Sequence, residues 1–189
     1  MKIVDELVLL VNHANKLRYH SKLTTVIAVV YDLILCGVVE LDDKNRLIIN
    51  DVDKDKLRDY EKDMYDIIKR YKSPSLCGLI INIYLNFNAR NLYKRIISYM
   101  DLYEEGLKQR TNLIIEGIRA EVLEDERMSE ETSVIVLLLK LSKCLNYYFS
   151  KYEKTTVRKK LNSIKGTKEY RFYSILRKTV IISDLLTWS

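Results

Sequence analysis

A chain of 189 residues that is 48% hydrophobic and 31% charged can bury a full core without disulfides or metals, and its interleaved charges exclude both disorder and a membrane-spanning protein. One proline and five glycines leave little of it punctuated as loop, which favours long helices over many short strands. The formal charge is +6, and its distribution matters more than its size.

From the start, Val4, Leu7, Val8, Leu10 and Val11 mark a helical stripe over Val4 to Leu17, with one face turned inward. Acidic Asp5 and Glu6 interrupt any secretory hydrophobic region, so a cytoplasmic protein is expected. Leu23 to Val39 is almost continuously apolar with Asp32 as its one charge, which predicts a buried helix. Gly37 falls where that helix would be capped. Val38-Val39-Glu40-Leu41 and Arg46-Leu47-Ile48-Ile49-Asn50 flank Asp42-Asp43-Lys44-Asn45, a pattern for a small β-hairpin. Helix followed by hairpin also fits a winged-helix element, which keeps a nucleic-acid reading open.

Leu57, Tyr60, Met64, Ile67, Ile68 and Tyr71 predict an amphipathic helix over Lys54 to Tyr71. Ser73-Pro74 ends it, and Pro74 is placed to start the next. Ser75 to Leu85 reads as an apolar helix or strand, and Ala89 to Gly106 as an amphipathic helix with Arg90, Lys94 and Arg95 early in it. Ile114 to Glu121 fits a strand end or a helix weakened by Gly117. Thr132 to Tyr152 is expected to be the buried central helix; its longest apolar run, Val134 to Leu139, is far short of the roughly 20 residues a bilayer span needs. Helices over Thr155 to Ser163 and Glu169 to Leu186 complete an expected all-α fold, a single globular helical domain around that central helix.

Ten Lys or Arg against three Asp or Glu in residues 151–189 give +7, leaving the first 150 residues at −1. Lys151, Lys154, Arg158, Lys159, Lys160, Lys165, Lys168, Arg171, Arg177 and Lys178 therefore read either as a solvated face or as a surface for phosphates or an anionic leaflet. Fourteen tyrosines, several beside these cations, suit stacking on bases or a lipid interface; an AT-biased coding sequence would enrich them too.

Cys36, Cys77 and Cys144 stand far apart in apolar surroundings and read as small buried hydrophobes in a reducing compartment. His13 and His20 have no further ligand at metal-binding spacing. The chain lacks GxGxxG, GxxxxGK[ST], GxSxG and HExxH. With no cofactor or catalytic constellation indicated, a binding module is expected rather than an enzyme.

The order of segments resembles the Golgi phosphoprotein 3 family of peripheral membrane adaptors over nearly the whole chain. The resemblance is carried by Glu6 to Leu10, Asp32 to Asp43, Arg46 to Ile49, Pro74 before its helix, Ala89 to Ile96, and Val134 to Phe149 with Arg158-Lys159-Lys160-Leu161 after it. It implies a phosphoinositide headgroup, of the phosphatidylinositol 4-phosphate kind, as ligand, a peripheral place on a membrane, and cytosolic tails of membrane proteins such as glycosyltransferases as partners. Arg90 matches the first arginine of the family's Arg-x-x-Arg pair, and Tyr93 stands at the second. The comparable region before the second helix offers Arg18 and Lys22, without the family's tryptophan. The headgroup residues implied are thus Arg90, Lys94, Arg95, Arg18 and Lys22. The chain is shortened between Gly106 and Ser129, where family members carry an apolar hairpin associated with membrane contact and self-association. The alternatives are a nucleic-acid-binding protein gripping phosphates with its C-terminal helices and a purely structural partner-binding domain.

Overall fold

A computed structural model describes the backbone of residues 2–14, 19–85, 88–100 and 106–186, with the side chains of these except 19–21, 84, 85, 88, 89, 100 and 181–186. Within them the fold is all-α. Ten helices are joined by one two-stranded hairpin: α1 (Ile3–His13), α2 (Tyr19–Leu35), β1 (Val39–Leu41), β2 (Leu47–Ile49), α3 (Asp59–Arg70), α4 (Leu76–Leu85), α5 (Asn88–Met100), α6 (Leu107–Leu123), α7 (Glu130–Leu141), α8 (Leu145–Tyr148), α9 (Glu153–Ser163) and α10 (Lys168–Leu186).

The core is built on α1, α2 and α7, which pack on one another and carry its most deeply buried residues. The expected one-sided stripe of α1 is corrected. Every residue from Ile3 to Val11 except Glu6 is buried, because α2, α6 and α7 cover α1 from several sides.

The hairpin pairs Val39 with Ile49 and Leu41 with Leu47, as the alternation predicts. Its turn is closed by Asp42, whose Oδ1 accepts from the N–H groups of Lys44 and Arg46 at 2.9 and 2.8 Å. The far edge of β2 is joined to the start of α4: Leu47 N–H donates to the Pro74 carbonyl, and Leu76 N–H to that of Asn45. Pro74 thus precedes α4 rather than opening it. Of the two stretches ambiguous in sequence, the first is helical from Leu76, after a bridge between Ser75 and Arg46, and residues 114–121 lie within α6.

The expected single helix over Thr132 to Tyr152 is broken. Val134 to Leu139 are buried in α7, but α7 stops at Leu141 and a new turn, α8, begins at Leu145. Lys143 adopts φ 61°; its N–H donates to the Lys140 carbonyl and that of Cys144 to the Leu139 carbonyl. This is a Schellman closure with lysine where glycine is usual, a left-handed placement that costs about 1–2 kcal/mol. The reversal puts Phe149 in the core and lets the Tyr148 hydroxyl donate to the Leu10 carbonyl at the end of α1.

The cysteines differ from one another. Cys144 is buried and Cys77 half-buried, but Cys36 is exposed at the end of α2, with Lys2 Nζ 3.5 Å from its sulfur. The burial expected of Cys36 fails because α2 ends before it and the hairpin turns away.

Candidate anion-binding end of the bundle

Helix directions decide which charges meet. α1 begins where α2 ends, since Asp32 accepts from the N–H groups of Ile3 and Val4. α7 also begins there: the Tyr31 hydroxyl donates to Glu130 in its first turn at 3.0 Å. α10 runs alongside α7 in the same direction, with Lys168 on Glu130 at 2.9 Å near their starts and Lys140 Nζ 6.0 Å from the Tyr173 ring centre further along. At α5, Tyr93 lies beneath Lys22 near the start of α2, while Tyr99 stacks edge-on against Tyr60 beside Asp5. One end of the bundle therefore gathers the hairpin with the starts of α1 and α7. The opposite end gathers the end of α1, the starts of α2 and α5, the end of α7, and α8.

Several cations at the hairpin end are paired. Lys2 meets the buried Glu61 at 2.5 Å, Arg58 meets Asp5 at 2.7 Å, and Arg46 meets Asp42 at 2.8 Å. Arg171 donates to Asn45 Oδ1 and to the Asp42 and Asp43 carbonyls, and Lys160 donates to the Asp125 carbonyl. Lys168, Arg171 and Lys160 are thus fold contacts. At the opposite end Arg90, Lys94, Lys143, Lys154, Arg158 and Arg177 pair with no carboxylate among the described residues.

Of the residues expected to hold a headgroup, the structure brings together Lys22, Arg90 and Lys94. Lys22 Nζ stands 5.8 Å from the centre of the Tyr93 ring. Arg90 lies one turn before Tyr93, and Lys94 follows it; both are exposed. Tyr93 itself is buried, which pushes its hydroxyl up to about 12, so at neutral pH it offers a donor rather than a charge. Arg95 does not join them. It lies about 100° round the helix from Lys94 and pairs with Asp63 of α3 at 2.5 Å. Arg18 lies outside the described residues, as does the side chain of His20. His13 is half-buried between the rings of Tyr147 and Tyr148, with centres 5.7 and 6.1 Å away.

A cleft of about 260 Å³ opens beside this end, between the close of α7 and α9. Lys140, Lys143, Lys154 and Arg158 line it above Val157 and Leu161, both buried. Burial, then the neighbouring Arg177, Arg158 and Lys165, pushes the Lys140 ammonium below its ordinary range. Lys154 and Arg158 belong to the basic stretch visible in sequence; Lys140 and Lys143 were legible only as the close of an apolar run. The turn made by the left-handed Lys143 joins the two sets.

No helix among the described residues is long and apolar enough to cross a membrane, and no group of three or more His, Cys, Asp or Glu among them could hold a metal ion. Comparison with protein-family models, curated proteins and solved structures finds no match to this chain. The resemblance to the Golgi phosphoprotein 3 family rests on the residues quoted for it.

Proposed function

We propose that this chain is a non-catalytic peripheral membrane adaptor, similar to the Golgi phosphoprotein 3 family, that docks its unpaired cationic end on an anionic, phosphoinositide-bearing leaflet. The observation that carries this reading is an uneven pairing of charge: Lys2, Arg46, Arg58 and Arg171 at the hairpin end are spent on carboxylates and carbonyls, while Arg90, Lys94, Lys143, Lys154, Arg158 and Arg177 at the other end pair with no carboxylate among the described residues. A cation held in an ion pair gains little from a second anion, whereas a free one near an anionic leaflet contributes about 1 kcal/mol. The attachment is therefore reversible and salt-sensitive. Tyr147 and Tyr152, 51% and 88% exposed on the stretch between α7 and α9, place amphipathic rings beside these cations, where a headgroup layer would receive them. The resemblance extends the proposal to cytosolic tails of membrane proteins, glycosyltransferases among them, as partners.

Nucleic acid fits less well. A wing must approach phosphates, but this hairpin carries Glu40, Asp42 and Asp43, its own Arg46 is paired with Asp42, and Arg171 is occupied in holding the turn. Co-sedimentation with phosphatidylcholine vesicles, with and without phosphatidylserine or phosphatidylinositol 4-phosphate, tests the reading across a salt series beside a duplex-DNA shift assay. Pelleting with the anionic vesicles that fades with salt is expected. A DNA shift without vesicle binding would contradict it.

A further inference from the structure

The cleft between α7 and α9 has features that a solvated basic face does not need. Elsewhere on the surface cations alternate with acids, as Lys62 does with Asp59 and Lys54 with Asp66. Here Lys140, Lys143, Lys154 and Arg158 surround one concavity and no carboxylate lines it. Their mutual repulsion is relieved by an anion. The backbone also bears a cost at this point, because Lys143 occupies a left-handed conformation that glycine would take freely. Val157 and Leu161, which also line it, are apolar and add no further charge.

We propose that this cleft is a binding site for a compact ring carrying two phosphate groups, held by Lys140, Lys143, Lys154 and Arg158 with one face of the ring on Val157 and Leu161. Charge sets the number of phosphates. A phosphate monoester carries about −1.5 to −2 at neutral pH, so four cations match two such groups and overmatch one. The guanidinium of Arg158 suits two oxygens of one phosphate, and the three ammonium groups serve as point charges for the rest. The ring is either a free sugar or cyclitol bisphosphate, or the headgroup of a lipid, in which one of the two phosphates is a diester carrying a single charge. The lipid-borne source rests on the membrane reading above; the free source does not.

The two are separated by titrating the whole chain with soluble inositol 1,4-bisphosphate by calorimetry, and in parallel with phosphatidylcholine vesicles bearing phosphatidylinositol 4-phosphate or an equal charge of phosphatidylserine. The informative variant is Lys143→Gly, which removes a cation while relieving the left-handed strain. It is expected to melt a few degrees higher than the parent, and so cannot lose binding by unfolding. Saturable binding of the soluble bisphosphate, weakened about tenfold or more by Lys143→Gly and by Arg158→Gln, is the expected result. Phosphatidylserine vesicle binding should change by about fivefold or less in these variants and fade with salt, because one charge near the leaflet contributes about 1 kcal/mol. If neither the phosphatidylserine nor the phosphatidylinositol 4-phosphate vesicles bind while the soluble bisphosphate still does, the membrane reading falls and the cleft stands. No saturable bisphosphate binding, or binding indifferent to both variants, overturns the cleft, as does tighter binding of single-stranded RNA that the bisphosphate cannot displace.

Discussion

Asp32 caps a helix to which it does not belong: its Oδ1 accepts from the Ile3 N–H at 2.9 Å, and its Oδ2 from the Val4 N–H at 3.0 Å. The first orphan donors of α1 are thus satisfied by a side chain from α2, which fixes the antiparallel pairing at the centre of the core. The arrangement is buried, and burial outweighs the two N–H donors and the nearby Lys2 to raise the Asp32 carboxyl to about 6.

A pH dependence follows. Because the folded value lies above the usual carboxylate range, the contribution of Asp32 to stability is greatest at low pH and falls as pH rises from about 4 to about 6. Relative to Asp32→Asn, which cannot titrate, the parent should lose about 2–3 kcal/mol of stability across that window and then change no further. Urea unfolding of both proteins at pH 4 and pH 7 measures this. A difference that is constant, or that grows with pH, contradicts it.

Leu137 lies in the middle of α7 and is 1% exposed. Leu137→Asp places an unpaired charge there at a cost of several kcal/mol against a total of about 5–15, and should abolish cooperative unfolding at room temperature. An unchanged melting curve by circular dichroism would refute the assignment of α7 to the core.

Arg171 and Arg158 contribute the same charge to the same basic stretch, yet the structure assigns them different work. Arg171→Gln should loosen the hairpin turn and cost about 1–3 kcal/mol, with faster amide exchange at Lys44 and Arg46, while leaving vesicle binding within about twofold. Arg158→Gln should do the reverse. Equal effects of both on vesicle binding would mean that the C-terminal cations act as one diffuse patch.

The helical class was legible because proline and glycine are scarce, and the hairpin because alternating β-formers flank an Asp/Asn-rich turn. The break in the central helix was not, since neither Gly nor Pro marks it and only a lysine forced to positive φ ends α7. Nor was the sorting of cations. Arg95 and Lys94 are neighbours in sequence, but only the packing of α3 against α5 takes Arg95 away to Asp63. Lys140 and Lys154 stand 14 residues apart and share a cleft because α8 turns the chain back. Ion pairing between distant segments is set by helix directions, and periodicity reports those only indirectly.

Arg90 and Lys159 offer a comparison on vesicles bearing phosphatidylinositol 4-phosphate. Arg90 sits on the face of α5 that carries Tyr93 beneath Lys22, whereas Lys159 is exposed on α9. Arg90→Ala should weaken binding by about 1.5–3 kcal/mol and Lys159→Ala by about 1 or less, the latter fading with salt. Small, salt-erased losses at both positions would leave only general attraction at this face.

The central claim, that one end of the bundle meets the membrane, is tested most directly by vesicle co-sedimentation of two charge-matched triple variants. In the first, Lys22, Arg90 and Lys94 become Gln; in the second, Lys44, Lys56 and Arg127, exposed cations elsewhere on the surface, become Gln. Both remove the same net charge. With vesicles containing phosphatidylserine and phosphatidylinositol 4-phosphate, the first should weaken binding by about 3 kcal/mol or more at physiological salt and the second by less than about 0.5 kcal/mol. Equal losses in the two variants would show that net charge alone drives the attachment and would contradict docking by a defined end.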